Sequence, residues 1–167
     1  MPDGPRPNGP RYDDDFYAWT QHQAEVLRSM RTRDNRFDRE NVAEEIEDLG
    51  KSERDAVESQ ISRIIEHFLK LANSPADAPR YGWMGSISDA RRVLRKKITP
   101  TLRRQVEQKL AELYEDGREA AELALRDYGE HGAAAALPAS CPYTLDQVLT
   151  RGWYPDPPSA TTTDPRS

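Results

Sequence analysis

The sequence holds a single cysteine, Cys141, which excludes an intramolecular disulfide and fits a reducing compartment. No apolar run approaches the roughly 20 residues a membrane-spanning helix needs, so no membrane partner is expected. The first residues are prolines and charges without the apolar stretch of a signal peptide, and a cytoplasmic protein is therefore expected. Glycine is scarce, 9 in 167 residues. No Asn-Gly or Asp-Gly pair sits between two alternating apolar runs, and no convincing period-two pattern occurs, which excludes strands as the main element. A glycine-rich phosphate loop, a Cys-x-x-Cys pair and a Ser-His-Asp signature are also missing, so none of the chemistries those motifs announce is indicated. The net charge of −5 argues against wholesale nucleic-acid binding.

What is present is charge (32% of residues) and helical periodicity. The ends, "MPDGPRPNGPR" and the segment from residue 155, are dense in Pro, Gly, Ser and Thr. Ordering them would cost entropy with no burial in return, so residues 1–11 and 155–167 are expected to be disordered tails around one α-helical domain, 12–154. Aspartates 13–15 announce a first helix whose expected inner stripe is Phe16, Trp19, Gln23, Val26 and Met30. Asp38 opens a second stretch through about Asn73, with Val42, Ile46 and Leu49 and then Val57, Ile61, Ile64, Phe68 and Leu71 as its stripe. Local signals favour a break at Gly50, with Ser52 as a new cap; an unbroken helix is the alternative. A third stretch carries Trp83, Ile87, Ala90, Leu94 and Ile98 up to Pro100, and a long fourth runs from about Thr101 to Tyr128. Gly117 lies in the stripe of that fourth stretch, where its expected use is to let a neighbouring helix approach closely. "GEHGAAAALPAS" predicts a flexible connection, and Thr144 caps a short last helix. The expected fold class is all-α, an antiparallel bundle of four main helices with a short C-terminal helix.

Three blocks in this order, "YDDDFYAWTQHQAEVLR", "ENVAEEIEDLGKSER" and "CPYTLDQVL", resemble the bacterial DUF29 family, over about residues 12–154. The resemblance implies an α-helical bundle. It implies no activity and no catalytic residues, because the family has no assigned function.

The acidic block raises the question of a metal. "EEIED" holds Glu44 with Glu47 and Glu45 with Asp48, pairs of the kind that gather Mg²⁺ or Mn²⁺ in hydrolases of nucleotide-like substrates when two helices present them face to face. On one helix, however, Glu44, Glu47 and Asp48 turn away from the Val42/Ile46/Leu49 stripe and Glu45 lies at its edge, so a solvated acidic face is expected and no cofactor is predicted. Glu53, Gln60 and His67, seven residues apart in turn, would line the core side of an unbroken helix, making Glu53 and His67 further candidate ligands. Arg91, Arg92, Arg95, Lys96, Lys97, Arg103 and Arg104 form a basic stretch with no acid among them, a candidate phosphate contact for a nucleic-acid-associated regulator. Against it, residues 38–58 carry nine acids and three bases, and the two stretches can simply neutralise each other. Cys141 reads as a packed thiol rather than a nucleophile, since no base is placed beside it. The first expectation is a non-enzymatic association module working as a homodimer, with the divalent-metal-dependent hydrolase and the nucleic-acid-associated regulator as alternatives.

Overall fold

Local capping sets where most of the helices begin and end. The computed structural model describes residues 8–159, and among them it contains seven helices and no strand. These are α1 (Phe16–Ser29), α2 (Arg39–Asn73), α3 (Arg80–Lys97), α4 (Pro100–Gln108), α5 (Leu110–Asp127), α6 (His131–Ala135) and α7 (Leu145–Leu149). The expected disordered tails fall partly outside the described residues, at 1–7 and 160–167. Asp15 caps α1, its Oδ1 accepting from the Ala18 amide at 2.9 Å. Asp38 does the same for α2 through the Asn41 amide at 3.3 Å. Pro75 follows the end of α2, where a residue without an amide proton cannot extend the ladder. Pro100 stands at the first position of α4, where its missing donor costs nothing. Gly129, at φ 77°, ends α5 in the left-handed conformation that glycine adopts without strain. Thr144 and Gln147 complete a capping box at α7.

Two expectations about helix continuity are corrected. The local signals at Gly50 favour a break, yet α2 runs unbroken through it. The reason is tertiary: a Cβ on Gly50 would collide with the Thr20 hydroxyl and lie 2.6 Å from Gln21 Nε2, so the residue serves close packing against α1. The sequence predicts one helix over 101–128, and the structure has two, interrupted at Lys109, where nothing in the local sequence marks a break. The connection expected to be flexible contains α6, anchored by buried Ala134 and Leu137.

The chain divides into two compact units, Met1–Glu58 with Lys96–Gln108 and Ser59–Arg95 with Lys109–Ser167; α2 and α3 contribute to both. In the second unit the core follows the expected stripes of α2 and α3. Ile61, Ile64 and Phe68 of α2 and Ile87 and Leu94 of α3 are buried as expected; on α5 the buried line is Leu113, Ala121 and Leu125, and Ala120 and Ala124, expected on the inner side, are only half-buried. Gly117 meets its expected use: a Cβ there would lie 2.7 Å from the Ser62 carbonyl oxygen, and Ser62 Oγ donates to the Leu113 carbonyl at 3.0 Å. In the first unit Val57, Leu102 and Val106 are buried as expected, but α1 and the first half of α2 depart from their expected stripes, and that departure forms the site described next.

Candidate functional site

In the first unit the buried lines of α1 and α2 are built from the smaller residues. Thr20, Ala24, Ala43 and Gly50 are buried, with Tyr17 the one large side chain on the α1 line. The contacts run in opposite directions along the two helices. Thr20 packs on Gly50, Gln21 Nε2 donates to the Glu47 carbonyl at 3.2 Å, Arg28 pairs with Glu47 at 3.1 Å, and Arg39 donates to the Met30 carbonyl at 2.6 Å. The two helices are therefore an antiparallel hairpin. Small residues permit the close approach, and the bulkier stripes are rotated off the seam.

The expected inner stripes are thus corrected. Val42, Leu49, Val26 and Met30 are 36%, 51%, 41% and 42% exposed, and Ile46, Phe16, Trp19 and Gln23 are only half-buried. At 100° per residue, each stripe is displaced from its buried line in the same rotational sense. In an antiparallel pair, equal senses bring both stripes out on one common side. The hairpin therefore carries one apolar face, on which Val42, Ile46 and Leu49 share a shallow depression with Asn41, Glu45, Asp48 and Ser52.

The acidic block borders this face. Glu47 is held by Arg28 and by Lys51 at 3.3 Å, and the Arg28 hydrogen bond keeps its carboxyl below the ordinary carboxylate range. Asp48 pairs with Lys51 at 3.0 Å. Glu44 and Glu45 are exposed and make no ion pair among the described residues. Among the described residues no three His, Cys, Asp or Glu side chains gather closely enough to hold a metal ion. Glu53 and His67 lie on one helix about 21 Å apart by its rise per residue. Glu53 is half-buried and forms a pair with Lys97 at 2.7 Å, which joins the acidic and basic stretches at one point. His67 is buried with no partner for Nδ1; burial, and then the charge of Lys70, lower its pKa to about 4.

Within the basic stretch, Arg92, Arg95, Lys96, Arg103 and Arg104 are exposed, while Lys97 is half-buried on Glu53. Arg91 is withdrawn from solvent, 2% exposed, and donates to the carbonyls of Val148 (2.9 Å), Gln147 (3.0 Å) and Trp153 (2.9 Å) between the rings of Phe68 and Tyr154. Its part is structural, and only the acceptors supplied by a distant segment reveal it. Cys141 is half-buried and donates to the Tyr143 carbonyl at 3.3 Å; burial pushes its thiol pKa up, away from the thiolate a nucleophile needs.

These features define an all-α protein with an apolar helical face. The chain belongs to the family described as a domain of unknown function, DUF29, which it matches over residues 11–154. It is similar to an α-helical protein of unknown function from Rhodospirillum rubrum, seen in a crystal structure. The identity is 26%, with a TM-score of 0.76 over 86% of this chain and 92% of that one. No curated protein matches it. No helix of the described residues is long and apolar enough to cross a membrane.

Proposed function

We propose that this protein is a non-enzymatic association module whose working surface is the apolar face of the α1–α2 hairpin. The observation that supports this is the inversion of the hairpin: its smaller side chains fill the seam, and Val42 and Leu49 are left 36% and 51% exposed beside half-buried Ile46. Exposing a contiguous apolar stripe is unfavourable unless something covers it. A second copy of the chain, as in the homodimer expected from the sequence, and another protein are the two ways such a face can be covered, and a cytoplasmic site of action fits the lone cysteine, Cys141.

The test is site-specific photocrosslinking in the host cell. A benzophenone side chain at Leu49 is expected to give a discrete adduct, and the same probe at Leu123, an equally accessible leucine of α5 at 63% exposure, is expected to give none. Equal labelling at both positions, or none at Leu49, sinks the proposal. So does Mg²⁺- or Mn²⁺-dependent nucleotide hydrolysis that is lost with Glu45→Gln or Asp48→Asn.

A further inference from the structure

Resting on that reading, we infer that the occupant of the hairpin face is a helix of another protein, one whose apolar stripe is edged with lysine or arginine. Val42, Ile46 and Leu49 span two helical turns, about 10 Å, which matches the i, i+3/i+4, i+7 anchors of a helix laid along a groove. The charged residues lining that strip, Glu45 and Asp48, are both acidic. Residues 38–58 carry nine acids and three bases, and all three bases are already engaged: Arg39 with Glu40, Lys51 with Glu47 and Asp48, Arg54 with Asp55 and Glu58. Glu45, at the edge of the strip, has no such partner.

The depression therefore offers the free carboxylate of Glu45, the carboxylate of Asp48 shared with Lys51, and no cation in its lining. A basic helix satisfies both the apolar strip and its edge; an acidic one meets repulsion that nothing in the lining relieves. Pairing two copies by a two-fold axis sets Glu45 and Asp48 of one opposite the same acidic edge of the other, which weighs against a self-made dimer through this surface.

Two stapled helical peptides with the same leucine stripe test this, one edged with lysine and arginine and one with glutamate. Each is titrated into the full chain by fluorescence anisotropy at low and high salt. The basic peptide is expected to bind about tenfold tighter or better, with an advantage that shrinks as salt rises. Glu45→Lys with Asp48→Lys is expected to reverse the preference without changing the thermal melt, and Leu49→Ser to weaken both peptides. Equal affinities, a preference for the acidic peptide, or no binding of either overturns the inference. A concentration-dependent dimer abolished by Leu49→Ser in sedimentation also overturns it, while leaving the association reading standing. A monomer that binds neither peptide and gives no Leu49 crosslink removes both.

Discussion

Arg91 is a buried cation whose partners are carbonyl dipoles, three of them, contributed by residues 147, 148 and 153. It staples the segment after α7 to the core, where Phe68, Tyr143 and Trp153 meet edge to face. Removing the guanidinium strands those acceptors, so Arg91→Met is expected to cost about 2–4 kcal/mol in urea unfolding and to speed tryptic cleavage at exposed Arg151. Wild-type stability and an unchanged cleavage rate would contradict this. His67 is a different kind of buried polar group. The unfolded chain binds its proton near pH 6.5, and the folded chain does so only near 4. Between those values the unfolded state holds more protons. The stability is therefore full above about pH 6.5 and falls as the pH drops toward 4, by on the order of 2 kcal/mol between pH 7 and 5. His67→Leu is expected to flatten that part of the stability profile; an unchanged slope would show that other groups set it.

Helix by helix, what distinguishes the glycines is what stands opposite them. A methyl group at Gly50 would strike Thr20, and one at Gly117 would sit 2.7 Å from a backbone carbonyl. At Gly85, inside α3, it would meet nothing within 4 Å. Gly85→Ala is thus expected to gain about 0.5–1 kcal/mol from helix propensity, while Gly50→Ala and Gly117→Ala lose about 1–3 kcal/mol to overpacking. Denaturation midpoints check the opposite signs directly. Asp15 serves two helix starts, accepting from Ala18 of α1 at 2.9 Å and from Thr101 of α4 at 2.8 Å. Burial raises its pKa, but the hydrogen bonds from Ala18 and Thr101 outweigh that and leave it lowered, so its contribution is present above the ordinary carboxylate pKa and lost in acid. With two caps lost at once, Asp15→Ala is expected to cost about 2 kcal/mol and Asp15→Asn, which keeps one acceptor, roughly half as much. Equal losses would mean that the acceptor kept by asparagine serves neither helix start, and would contradict this account.

For the molecule as a whole, the decisive property is that apolar surface and acidic charge are concentrated on one hairpin. If Val42 and Leu49 serve association rather than folding, then Val42→Ser and Leu49→Ser are expected to change unfolding free energy by no more than about 0.5 kcal/mol. Ile61→Ala, fully buried on the same helix, is expected to cost about 2–5 kcal/mol. A large loss at Leu49 would return that side chain to the core and withdraw the face.

By itself the sequence determined the all-α class, the caps at Asp15, Asp38 and Thr144, the stripe from Val57 to Leu71 and the close approach at Gly117, because each rests on local spacing or on a residue's own conformational limits. Only the tertiary structure decided which side of α1 and of the first half of α2 turns inward. There the hydrophobic rule favours Val42, Ile46 and Leu49, but the closest packing of two helices favours Ala43 and Gly50, and the outcome depends on neighbours about thirty residues away in the chain. The same non-locality carried α2 through Gly50 and drew Arg91 out of a basic run into the interior, since the groups that hold them come from distant parts of the chain.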